Sequence, residues 1–179
     1  MPRRVLLPAA MRDRLHLLTQ IVEETEGILF YRNQDGTCPL EGMYMTGMGS
    51  VGHVTTDPAR TRVLNTFFEG HPGLRYVHFH THTLGTVAQC GEYFANHFSG
   101  VDEATIAENL RADPAFMALL ATPRHLLLAG RDDPALVVVP TPVDYEAQRR
   151  VISDDLHRVE ARLGVHLRPF SGFGYKQTT

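Results

Sequence analysis

The chain has 179 residues, 43% hydrophobic and 21% charged, with a formal net charge of −3. That length predicts one domain, with room for a core that needs no disulfide staples. The mild acidity leaves no basic footprint for nucleic acid, and no apolar stretch approaches a membrane-spanning length, so neither partner is expected.

Taken in order, Arg3-Arg4 before Val5-Leu6-Leu7 faintly resembles a leader, but the apolar run stops at Pro8 and Arg12, too short for one. Two cysteines, Cys38 and Cys90, read as reduced thiols. A cytoplasmic protein is therefore expected. Residues 8–23 are predicted as an amphipathic helix, with Pro8 in its first turn and Met11, Leu15, Leu18 and Val22 on one face. Glu23 to Gly27 ends it, and Ile28 to Tyr31 reads as a buried strand closed by a hairpin-type turn at 33–36. A glycine-rich second strand region spans 41–56. Asp57-Pro58 starts a helix as N-cap and first residue, with Val63, Leu64, Phe67 and Phe68 on its apolar face.

A strand follows over 74–82. Residues 83–98 show no period and read as a loop with a short helical turn at 91–97. A helix runs from Asp102 to about Leu110, and Asp113-Pro114 starts a second short one through Leu120. His125–Ala129 and Leu136–Val139 read as strand, turn, strand. Asp144 caps a long last helix with Val151, Ile152, Leu156, Val159 and Leu163 as its buried stripe and Gly164 just past its end. Residues 171–179 are expected to form a flexible tail.

The chemistry gathers on Tyr76-Val77-His78-Phe79-His80-Thr81-His82. On a strand the three histidines share one face, because side chains alternate. Two imidazoles two residues apart can bind one ion. A catalytic zinc keeps three protein ligands and one open position, so a third ligand is needed. Asp102 is the best-placed carboxylate in sequence. Ser99, three residues before it, can donate to a developing oxyanion. Ser99-x-x-Asp102 is equally a helix capping box, and one residue can serve both roles. Hydrolysis also needs a general base near the metal that is not a ligand. Glu24 suits that role, with ordinary surface acid as the competing reading given Glu23 and Glu26 beside it.

Glu24-Thr25-Glu26-Gly27-Ile28-Leu29 resembles the E-x-x-G start of the JAMM/MPN+ metalloproteases, also called JAB or Mov34. His80-Thr81-His82 is similar to their H-S/T-H, and Ser99-x-x-Asp102 to their S-x-x-D, in the family's order, over roughly residues 8 to 140. The resemblance implies an α/β fold: a single MPN (cytidine-deaminase-like) domain over residues 1–170, with a mixed central sheet flanked by helices. It implies Zn2+ on His80, His82 and Asp102, Glu24 activating the water, and Ser99 stabilising the tetrahedral intermediate. The substrate would be an amide or isopeptide bond, usually at the C-terminal tail of a ubiquitin-like or sulfur-carrier-type protein. Homodimers are common among such domains.

Two positions depart from the pattern. Thr83 stands where the family commonly has proline, and the segment from Thr83 to Phe98 is much longer than the usual spacing. Residues 83–98 are then an active-site insertion with a role in gating or substrate choice. Glu92 and His97 within it are reserve candidates for the third ligand.

Two rival readings follow from the same residues. His78, His80 and His82 also resemble the H-x-H-x-H of histidine-triad nucleotide hydrolases, whose central histidine attacks a phosphate, although Thr81 and Thr83 replace apolar residues there. Some MPN domains are non-catalytic scaffolds. Cys90 reads as a small semi-buried thiol, and the glycine run 47–52 as strand or loop.

Overall fold

The computed structural model describes residues 3–165, so the expected tail at 171–179 lies outside the described residues. The residues that faintly resembled a leader form a strand, β1 (Arg4–Pro8), buried at Val5 and Leu7. Pro8 ends it and precedes α1 (Ala9–Thr19). This helix is shorter than expected: Val22 lies beyond it and is 65% exposed. Next come β2 (Glu24–Tyr31), β3 (Thr37–Ser50) and β4 (His53–Thr56). Helix α2 (Pro58–Glu69) is capped as expected, the Asp57 carboxylate accepting from Ala59 N–H. Strand β5 (Arg75–Thr81) carries the histidines.

Residues 83–98 hold the helical turn expected at 91–97 and, ahead of it, a helix that was not expected. They form two short helices, α3 (Leu84–Cys90) and α4 (Glu92–Ala95). Helix α5 (Gly100–Ala112) begins earlier than expected, with Ser99 as its N-cap. The short helix expected through Leu120 is instead strand β6 (Met117–Ala121), buried at every position. Strands β7 (Leu126–Gly130) and β8 (Ala135–Val139) follow with a turn between them, as expected; β7 pairs with β6 and β8 with β1. Helix α6 (Tyr145–Arg162) closes the fold. Ile152 and Leu156 bury its stripe, Val151 is exposed, Asp144 makes no side-chain cap, and Gly164 has the expected left-handed backbone (φ 64°).

The strands form one mixed sheet in the order β7-β6-β5-β2-β3-β1-β8, with β4 on β3. The end strands β7 and β8 approach each other, so the sheet is nearly closed. The architecture is thus mixed α/β, a mixed sheet flanked by helices. Two cores lie on its two faces. On one, Met11, Leu15 and Leu18 of α1 meet Val5, Leu7, Leu29, Val77, Phe79 and Leu119. Fully burying such a side chain contributes roughly 1.5–3 kcal/mol. On the other, α2 and α6 cover Ile28 and Phe30 with Val63, Phe67, Ile152 and Leu156.

Strand parity then sets the site. Leu29 and Tyr31 of β2 and Val77 and Phe79 of β5 enter the α1 core, so Glu24, Glu26, His78 and His80 must face the other way. At Gly27 β2 packs tightly between β3 and β5. A Cβ there would lie 2.3 Å from Tyr44 O and 2.7 Å from Phe79 Cε1. No helix among the described residues is long and apolar enough to cross a membrane.

Candidate metal centre

Antiparallel pairing puts Glu26 of β2 opposite His80 of β5. His82 lies one residue past β5, and its N–H donates to Ala121 O at 2.9 Å, which prolongs the ladder and keeps it on the His80 face. The two rings sit 5.3 Å apart, edge to face. Phe98 leans against His80 at 6.1 Å.

Helix α5 delivers the carboxylate. Ser99 and Asp102 form a reciprocal capping box: Ser99 Oγ accepts from Asp102 N–H at 3.2 Å, and Asp102 Oδ2 accepts from Ser99 N–H at 2.7 Å. The same carboxylate reaches both imidazoles, with Oδ1 3.3 Å from His80 Nε2 and Oδ2 3.7 Å from His82 Nε2. Cap and cluster are therefore one feature. Burial works to raise the Asp102 pKa, but His80 and the Ser99 hydrogen bonds outweigh it and hold the carboxyl below its ordinary range. Burial, then the neighbouring His80, pushes His82 down, which favours the neutral imidazole a metal requires.

These three side chains could hold a metal ion. One ligand atom from each lies within 4.8 Å of the others. Tetrahedral coordination with bonds of about 2.0–2.2 Å places donors roughly 3.3–3.5 Å apart, close to the 3.3 and 3.7 Å between the Asp102 oxygens and the two imidazoles. Two buried ring nitrogens lack a well-formed hydrogen bond: His80 Nε2, which faces Asp102 Oδ1 at 3.3 Å, and His82 Nδ1. Such groups are costly unless something else binds there. Two imidazoles and a carboxylate suit zinc and neighbouring transition ions.

Glu24, the first residue of β2, is 4% exposed. Its Oε1 accepts from Thr86 Oγ1 at 2.6 Å and its Oε2 from Gly52 N–H at 3.0 Å. It lines the same cleft as the cluster, a space of about 570 Å3 walled by the β3–β4 turn, α3, α4 and α5. Its lining includes Ser99, Thr86 and Phe94 but, among the described residues, no lysine or arginine. The reserve candidates are elsewhere. Glu92 is exposed and pairs with Arg124, while His97 is exposed, stacks on Tyr93 and bonds Tyr93 O at 2.7 Å. Cys90 is exposed on the cleft, not semi-buried.

Sequence reasoning missed Glu26. It lines the cleft, accepts from the Thr56 hydroxyl, and lies 3.8 Å from His78. The alternation that groups His80 with His82 also groups Glu26 with Glu24, so the signal was present. His78 faces Glu26 and Phe116 and takes no part in the three-residue cluster.

No protein-family model and no curated protein matches this chain. The fold is similar to the solution structure of protein DSY2949 from Desulfitobacterium hafniense, at 16% identity and a TM-score of 0.52 over 78% of this chain and 95% of that one.

Proposed function

We propose that the chain is a JAMM/MPN-type zinc metallopeptidase that hydrolyses an amide or isopeptide bond, with the C-terminal tail of a ubiquitin-like or sulfur-carrier-type protein as the substrate class. One observation carries the reading. A His80–His82–Asp102 group, buried at His82 and half-buried at the other two, shares a cleft with a buried glutamate that is not part of the group.

Zinc held by His80, His82 and Asp102 would supply Lewis-acid polarisation of the scissile carbonyl and a more acidic water. The chain's own residues do the rest. Glu24 takes a proton from the attacking water on a carboxylate oxygen and returns it to the leaving nitrogen. Each of its oxygens accepts one hydrogen bond and keeps a second lone pair for that task. Ser99 Oγ accepts from the Asp102 N–H, so its own proton is left to donate to the developing oxyanion. Among the described residues no lysine or arginine lines the cleft, which suits a peptide carbonyl better than a phosphate facing Glu24, Glu26 and Asp102. That observation favours the peptidase over a histidine-triad nucleotide hydrolase.

The test is metal analysis of the purified protein together with cleavage of a fluorogenic ubiquitin C-terminal amide and a sulfur-carrier fusion, with and without chelator. About one zinc per chain and chelator-sensitive cleavage are expected. Nucleotide-conjugate cleavage without metal would overturn the reading, and full zinc occupancy with no cleavage would favour a scaffold.

A further inference from the structure

The segment 83–98 contributes more than a wall to the cleft. Thr83, where the resembled family carries proline, caps α3: its hydroxyl accepts from Gly85 N–H at 3.2 Å and donates to Val22 O at 2.9 Å. Gly85 permits that docking, because a Cβ there would lie 2.5 Å from Val22 O. The first turn of α3 is thereby fixed against the chain just ahead of Glu24. Thr86 sits in that turn, 5% exposed. Its Oγ1 accepts from Thr83 N–H at 2.8 Å, which commits its single proton to Glu24 Oε1 at 2.6 Å. That length is in the range of a hydroxyl donating to a carboxylate. A β-branched side chain held this way has little rotamer freedom. The second Glu24 oxygen is held from a different element by Gly52 N–H of the β3–β4 turn.

We infer that Thr86 is a positioning residue: it orients the buried Glu24 carboxylate within the cleft, and α3 exists to deliver it. The inference rests on the peptidase reading for its catalytic consequence, but the clamp itself does not. A helix cap alone would need only the Thr83 N–H contact. The clamp requires Thr86 and Glu24 to act together.

Thermal stability of the full chain is measured for wild type, Thr86→Val, Glu24→Ala and the double variant, alongside Thr86→Ser. Thr86→Val is expected to lower the melting temperature by several degrees more when Glu24 is present than when it is alanine, and Thr86→Ser to restore it. In the zinc-loaded protein, with the fluorogenic ubiquitin amide as probe, Thr86→Val is expected to lower kcat about 10–100-fold at little-changed KM and unchanged zinc content. Thr86→Ser should recover most of it. Additive melting temperatures, or a serine variant as impaired as valine, overturn the clamp whatever the activity. Unchanged kcat in Thr86→Val overturns the positioning role. Coupled stabilities with no hydrolysis by the wild-type zinc protein support the clamp and sink the peptidase reading instead.

Discussion

Two histidine–aspartate contacts in different regions of the molecule have opposite characters. At the α2–α6 seam, His71 stacks on Phe67 with ring centroids 4.2 Å apart. Its Nδ1 meets Phe67 O at 2.8 Å and its Nε2 meets Asp155 Oδ2 at 3.1 Å. Both ring nitrogens are satisfied, and the residue ties two helices together. In the cleft, His80 and His82 share one carboxylate, and each ring keeps a buried nitrogen without a well-formed hydrogen bond. A histidine whose valences are filled needs nothing further, whereas two that fold with poorly satisfied nitrogens around a single carboxylate have capacity for an ion.

The comparison breaks most sharply at the ligands. Asp102→Ala or His82→Ala should abolish zinc binding, a loss of more than about 100-fold in affinity, since even residues that merely support ligands cost 10–100-fold. In wild type, zinc at about a hundred times its Kd should stabilise by about 2.7 kcal/mol. For a chain this size that is roughly 5–10 °C in Tm. The shift should vanish in Asp102→Ala and persist in His71→Ala. If Asp102→Ala binds zinc fully, the third ligand is another residue.

Glu24→Gln comes next. Zinc content should be unchanged while cleavage falls by about 10²–10⁴-fold, the usual worth of a general base. Loss of zinc in this variant would move Glu24 from base to ligand. His71→Ala is a smaller effect of the opposite kind: about 1–3 kcal/mol of stability from chemical denaturation, with zinc affinity untouched. A change in zinc affinity there would erase the distinction between the two regions.

The smallest effect concerns Glu26. Burial works to raise its carboxyl, but its contacts with His78 and Thr56 outweigh burial and hold it below its ordinary value of 4.5. A depressed carboxyl contributes its stability in full above the unfolded value and loses it as pH falls through the folded one. Thermal stability of the wild type should therefore decline more steeply below pH 4.5 than that of Glu26→Gln. Parallel curves would show that Glu26 is not held ionised by folding.

Some of this was legible before any coordinates. The period-two spacing of His78, His80 and His82 required a shared face once β5 formed, and Asp57-Pro58 and Ser99-x-x-Asp102 announced their caps. Other stretches misled for identifiable reasons. Met117 to Ala121 is rich in helix formers, yet it lies beside β5 as a parallel strand buried at every residue, where a continuous apolar run is the norm and propensity is overruled. Residues 83–98 hid α3 because seven residues are too few to establish a period, although the turn at α4 was legible. No strand was expected at Arg4–Pro8, because its five residues become a strand only by pairing with β3 and β8, both distant in the chain.

What local sequence could determine, then, was chemistry that depends on near neighbours: alternation along a strand, a cap three residues away, a left-handed glycine at a helix end. The choice of Asp102 over Glu92 and His97 was not of that kind. All three are capable ligands, and only the path of α4 and α5 turns Asp102 toward His80 and sends the other two to Arg124 and Tyr93. The Thr86 contact with Glu24 likewise spans 62 residues of chain. Contacts of that range depend on how helices dock on a sheet, and no spacing rule encodes them, because their geometry is set by the packing of the whole core.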